Sequence, residues 1–135
     1  MAAACTHVAI HARDVERAVD FYRKYAGLRE VHRRVDGDVT VVWMGEEARR
    51  TEFVIVLLGA AHEDAASPAP LAHLGYAVTS RGEVDRLAAL AREDGILVHG
   101  PADEGPIVGY LCIVSDPDGN SVEFSHGQSI APADH

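Results

Sequence analysis

The stretch His7-Val8-Ala9-Ile10-His11-Ala12, with Asp14-Val15-Glu16-Arg17 behind it, decides the fold because the chain repeats it. His73-Leu74-Gly75-Tyr76-Ala77-Val78, followed by Ser80-Arg81-Gly82-Glu83, has the same order 66 residues later: a histidine, an apolar run, a helix start. Self-similarity over such a period marks two copies of one supersecondary unit. It also sets two imidazoles at equivalent places, which is how a two-fold arrangement gathers ligands.

Working outward, residues 6–12 alternate as a half-buried strand does. Asp14 is a natural N-cap, and Val15, Ala18, Tyr22 and Tyr25 make one face of a helix that ends at Gly27. Asp36-Gly37-Asp38 separates two strand-like runs, the second Val39 to Met44, as a hairpin signal. Gly45 to Thr51 is polar, and Phe53 to Leu58 is the most strand-like run of the chain. In the second copy Ser80-Arg81-Gly82-Glu83 fits a capping box. Val84, Leu87 and Ala91 form the helix's apolar face, and Gly95 ends it. Ile96-Leu97-Val98, Tyr110 to Val114 and Val122 to Ser125 read as strands, with a Gly/Pro-rich segment from Gly100 to Gly109. Asp116-Pro117-Asp118-Gly119 is a turn before the last strand. Each copy is thus β-α-β-β-β, and the expected class is α+β. The divisions are 6–60 for the first module, 61–71 for a linker, 72–126 for the second module and 127–135 for a frayed tail.

At 135 residues the chain is one domain's worth. Halves of roughly 60 residues are marginal alone, so the copies are expected to pack together. No apolar run approaches the ~18 residues of a membrane span, and the N-terminus lacks signal-peptide character. A cytoplasmic location is expected. The net charge of −9 argues against nucleic acid and anionic membrane partners. Arg33-Arg34 and Arg49-Arg50 are the only Arg-Arg doublets. They read first as solvated ends and second as an anchor for an anionic substrate group. Cys5 and Cys112 form no C-x-x-C motif and are expected as free thiols.

Strand alternation puts His7 with Ala9 and His11, and His73 with Gly75 and Ala77, on the faces turned from the helices. Glu123, between Val122 and Phe124, also points away from the apolar layer, where a carboxylate needs a partner or water. His7, His73 and Glu123 make a facial set with open positions that suits Fe(II), Mn(II), Zn(II), Ni(II) or Co(II). Overlaying Gly59 on Gly127 sets Ile55 opposite Glu123, with apolar Val54 and Val56 beside it. Glu52 lies three residues off and reaches the site only through a bulge. Three protein ligands are expected.

His7-Val8-Ala9-Ile10, Asp14 to Tyr22 and Gly27-Leu28, closed by Asp116-Pro117-Asp118-Gly119-Asn120-Ser121-Val122-Glu123-Phe124, resemble the vicinal-oxygen-chelate superfamily over residues 6–126. That superfamily takes in glyoxalase I, extradiol dioxygenases, fosfomycin-resistance proteins, methylmalonyl-CoA epimerase and bleomycin-binding proteins. The resemblance implies paired βαβββ modules forming a cupped eight-stranded mixed sheet around a divalent metal, with His7, His73 and Glu123 on the ligand positions. It implies a metal that chelates adjacent substrate oxygens as a Lewis acid.

Departures from the family pattern narrow the chemistry. Glyoxalase I and the epimerase resemble each other in carrying Glu or Gln where Ile55 or its neighbours stand, so the base is unassigned. The dioxygenase pattern has a Tyr where Ile113 stands and a His where the Gly/Pro segment runs, which weakens ring cleavage. Basic residues that fosfomycin-type transferases carry after the carboxylate ligand are replaced by Phe124-Ser125-His126-Gly127-Gln128. Tyr110 and His11 are weak catalytic candidates, His11 lying roughly 13 Å along the strand from His7 at ~3.3 Å per residue. His126 falls on the face opposite Glu123, and Trp43 reads as core or interface. His32, His62, His99 and His135 belong to no constellation. The expected protein is a metal-dependent, glyoxalase-like lyase or isomerase on a small oxygen-chelating substrate, working as a homodimer. The alternatives are a metal-independent binder of an antibiotic or aromatic ligand and an Fe(II) dioxygenase.

Overall fold

The computed structural model describes residues 7–49, 52–59 and 73–128. The chain divides into two compact units, Met1–Pro70 and Leu71–His135. The linker expected over 61–71, Cys5, His62, Arg50 and most of the expected tail lie outside the described residues.

In the first unit β1 (His7–Ala12) leads into α1 (Val15–Ala26). Asp14 caps the helix by accepting from the Arg17 N–H at 3.2 Å, and Gly27 closes it in the left-handed region at φ 67°. The buried stripe is Ala18, Val19, Phe21, Tyr22 and Tyr25. β2 (Arg29–Asp36) turns at Gly37 into β3 (Val39–Gly45), a 3-10 turn covers Glu47–Arg49, and β4 (Val54–Gly59) follows. The sheet order is β1-β4-β3-β2, with β1 and β4 parallel and the other pairs antiparallel. Arg33 of β2 binds Glu16 of α1 at 2.8 and 3.0 Å and also holds Glu30, so its charge ties helix to strand.

The second unit repeats the order: β5 (Leu74–Ala77), α2 (Arg81–Glu93), β6 (Leu97–Asp103), β7 (Tyr110–Ser115) and β8 (Ser121–His126). Its sheet order is β5-β8-β7-β6, with β5 and β8 parallel. The eight strands therefore form two four-stranded mixed sheets, each with its helix, in an α+β architecture. Val84, Leu87, Ala88 and Ala91 are the buried stripe of α2.

One local expectation is corrected. Ser80 does accept from the Glu83 N–H at 3.1 Å, but the Glu83 carboxylate turns to Arg86, so only half of the capping box forms. A guanidinium one turn away outcompetes a neutral N–H for a carboxylate. The Gly/Pro-rich Gly100–Gly109 segment is ordered into strand and helix. β6 runs through Gly100-Pro101 to Asp103 with register shifts on either side of His99, and α3 (Gly105–Val108) is a single helical turn. Edge position and a bulge are where a strand tolerates proline.

Gly59 marks the tightest helix–sheet approach. A Cβ built there would stand 2.7 Å from the Val15 Cβ, so the strand lies directly under the start of α1. Gly59→Ala is expected to cost about 1–3 kcal/mol by overpacking, read as a lower midpoint in chemical denaturation. An unchanged midpoint would show that α1 can lift away freely.

Candidate functional site

Strand pairing in the second unit puts four residues in one row across the sheet. Gly75 of β5 pairs with Glu123 of β8, Glu123 with Ile113 of β7, and Ile113 with His99 of β6. Helix α2 covers the other face, where the Cys112 thiol donates to the Val84 carbonyl at 3.9 Å and the Tyr76 ring stacks on Phe124. Burial pushes that thiol up to about 11, so it is a packing group rather than a nucleophile. His73 immediately precedes β5, and alternation carries it onto the Gly75 side; its side chain is exposed. His73 and Glu123 thus share the face turned from the helix, as expected from the sequence.

Glu123 is 7% exposed. Its Oε2 accepts from the Gln128 amide at 3.3 Å, and the same amide donates to the Val108 carbonyl at 3.2 Å. Among the described residues no arginine, lysine or histidine pairs with it. A buried carboxylate held by one neutral donor is costly unless a cation joins it. Gly75 leaves the space beside it open, since a Cβ there would stand 3.5 Å from Oε2. The approach of β8 is fixed by Asp116, itself 3% exposed. Its carboxylate accepts from the Asp118 N–H at 2.9 Å, the Asn120 N–H at 2.8 Å and the Asn120 amide at 2.8 Å. This polar knot holds the DPDG turn and with it the register of Glu123. Gln128, placed in the expected tail, was missed because it lies beyond the closing strand, past a glycine at φ 81°; its five-residue distance from Glu123 was the available signal.

The first unit has the corresponding row Ala9, Val56, Trp43 and His32. Since Ala9 answers to Gly75, the counterpart of Glu123 is Val56 rather than Ile55. Ile55 pairs with Val8 on the helix side. The glycine overlay misses by one because the second module holds one residue more between its first and last strands. The face of His7 is apolar around Val56, with Val41 and Val54 buried beside it and Trp43 and Leu58 packed against them. His7 is exposed at the position equivalent to His73. Glu52 sits in the turn before β4 with its carboxylate on Arg49 at 3.0 Å. No group of three His, Cys, Asp or Glu side chains gathers at metal-binding distance among the described residues.

The remaining candidates separate by face. Tyr110 points to the helix side, where its hydroxyl donates to Asp85, the Arg81 guanidinium lies 4.1 Å over its ring, and the Asp85 hydrogen bond pushes its pKa up. Its hydroxyl is thus engaged on the face opposite Glu123. An open cleft of about 460 Å³ lies on that side, lined by Arg81, Asp103, Tyr110 and His126 among others. The His126 ring is 3.3 Å from the Val78 carbonyl, again away from Glu123. His11 is exposed on the His7 face, in a row with Leu58 and Val41. His32 and His99, expected to stand alone, occupy equivalent outer-strand positions and both have partners. The His32 ring packs 4.7 Å from Trp43 with its Nε2 3.0 Å from Arg34, whereas His99 Nε2 meets the Glu104 carboxylate at 3.0 Å.

Comparison with known proteins follows this geometry. A family model described as Glyoxalase/Bleomycin resistance protein/Dioxygenase superfamily matches residues 4–124. A Pseudomonas aeruginosa protein described as uncharacterized is 38% identical over 132 residues, covering 98% of this chain and 94% of its own. A structure described as a possible glyoxalase from Bacillus cereus aligns with a TM-score of 0.69 at 26% identity, over 92% of this chain and 99% of that one. TnmS3, an antibiotic-binding protein from a Streptomyces species, aligns with a TM-score of 0.70 at 23% identity, over 93% and 98%; that likeness is one of fold.

If Glu123 is an uncompensated buried charge, neutralising it should not harm the metal-free protein. Chelator-treated Glu123→Gln is expected to melt at or above the wild-type temperature. A fall of more than about 4 °C, on the order of 1 kcal/mol for a chain of this size, would mean that the carboxylate is already satisfied.

Proposed function

The chain belongs to the glyoxalase/bleomycin resistance protein/dioxygenase superfamily, and on that premise we propose that it is a divalent-metal-dependent, glyoxalase-like lyase or isomerase. Its substrate is a small molecule that chelates through two adjacent oxygens, and it works as a cytoplasmic homodimer. The observation that carries this is Glu123: a buried carboxylate with one neutral donor, on the same sheet face as His73, beside a glycine that leaves its flank open. Carboxylate and imidazole are donors for Fe(II), Mn(II), Ni(II), Co(II) or Zn(II). His73 and Glu123 supply two ligands, and the third is His7, from this chain or from a second copy. When bound, the metal supplies Lewis-acid polarisation of a substrate carbonyl. The chain's own part is to hold the ligands still. Gln128 fixes Oε2 of Glu123, and the Asp116 turn fixes the strand that carries it.

A second reading rests on the apolar row of the first unit. Val56, Trp43, Val41 and Val54 around His7 suit an aromatic ligand taken up without metal.

Metal analysis after anaerobic purification separates the two. Wild type is expected to hold close to one equivalent of divalent metal, and Glu123→Ala to lose at least tenfold in affinity with its fold intact by circular dichroism. Protein that retains no stoichiometric metal from any of the five ions, yet binds aromatic ligands at micromolar level in the presence of chelator, would establish the second reading instead.

A further inference from the structure

We propose that His99, oriented by Glu104, is the general base that moves the substrate proton on the Glu123 face of the second unit. The assignment rests on the metal-dependent function proposed above. The need for a base arises inside that proposal, because Val56 stands where an acid–base ligand would otherwise sit and Tyr110 faces the helix.

Three observations lead to His99. It lies in the row of Glu123, with only Ile113 between them, so the two backbones stand two strand spacings apart, roughly 10 Å. A substrate of a few heavy atoms lying over Ile113, with its oxygens on the Glu123 side, would turn its carbon-bound proton to His99. Next, the partner of Nε2 is a carboxylate at 3.0 Å. A carboxylate only accepts, so in the neutral ring Nε2 carries the proton and Nδ1 keeps the lone pair that a base needs. The negative charge beside Nε2 also balances the charge that the ring gains when Nδ1 takes a proton.

The third observation is the contrast with His32, the register equivalent in the first unit. There Nε2 faces the Arg34 guanidinium, which only donates, and the ring is packed on Trp43. The same backbone position therefore carries one histidine set up to receive a proton at Nδ1 and one whose Nε2 lone pair is engaged by a cation. Of the charged groups around His99, Glu104 is in contact and Glu123 lies along the row. The pairs contributed from α2, Arg81 with Asp103 and Asp85 with Tyr110, occupy the opposite face.

The step balances without a further reactant. The substrate C–H bond breaks, its proton passes to Nδ1, and the electron pair moves towards the adjacent carbonyl to give an enediolate. The proton then returns from Nδ1 to the neighbouring carbon while the enediolate's hydroxyl proton passes to the adjacent oxyanion, which completes an isomerisation.

Zn(II)-loaded full-length protein in deuterated water, with dihydroxyacetone as the probe, tests this by the rate of α-proton exchange in proton NMR. His99→Gln is expected to lose at least about 10²-fold in the maximal exchange rate, with metal content, melting temperature and half-saturating probe concentration unchanged. Glu104→Gln is expected to lose about tenfold. Imidazole 15N spectra should show the Nε2–H tautomer at His99 in wild type and a mixture in Glu104→Gln. Undiminished exchange in His99→Gln, an Nδ1–H tautomer in wild type, or metal-loaded wild type exchanging no faster than free Zn(II) would each overturn the assignment while leaving the metal centre standing. Loss of the metal centre itself is read separately, as wild type that holds no metal.

Discussion

Parallel pairing of the first and last strands of each module is the constraint on which the rest depends. Parallel neighbours cannot be joined by a tight turn, so the chain must cross over the sheet through a helix and two further strands before it returns. That detour is why a residue near the start of β5 meets one 48 places later on β8. The pair Gly75 and Glu123 is its product. Because strand faces alternate, a slip of one residue would bury Glu123 under α2 and turn Phe124 outward. The Asp116 knot, Phe124 and Val122 on the helix side and Gly75 on the other all enforce the same register. Site and core are specified by the same contacts.

Duplication copied this backbone twice but not its side chains. In the first unit the row is Ala9, Val56, Trp43, His32; in the second it is Gly75, Glu123, Ile113, His99. Val56 contributes apolar burial where Glu123 requires compensation. The first row thus adds apolar area, and the second carries polar groups held by Gln128 and Glu104. Outer-strand histidines follow the same divergence, one engaged by an arginine and the other by a glutamate.

Much of this was legible in the chain itself. The repeat of His7-Val8-Ala9-Ile10 as His73-Leu74-Gly75-Tyr76 marks the modules, Asp14 and Gly27 bound α1, and alternation puts the Glu123 carboxylate on the face turned from α2. Matching the modules to the residue was less secure. A glycine overlay counts residues and cannot register the extra one before β8, so Ile55 stood in for Val56. His99 and Glu104 were invisible for a related reason. Their pairing spans a bulged edge strand through Gly100-Pro101 and depends on where β6 resumes its ladder, which no periodicity in that segment announces. Tyr110 was misleading because its distance from the DPDG turn is close in sequence, while alternation sends it to α2. Faces follow from parity, but contacts across bulges and turns follow from three-dimensional closure.

The proposed metal centre is tested most directly by anomalous diffraction at the absorption edge of the loaded ion, on crystals of metal-replete protein. The predicted result is a peak at roughly 2.0–2.2 Å from a Glu123 carboxylate oxygen and from a His73 ring nitrogen. A peak at other side chains, or no ordered peak with Glu123 still held only by Gln128, would contradict it.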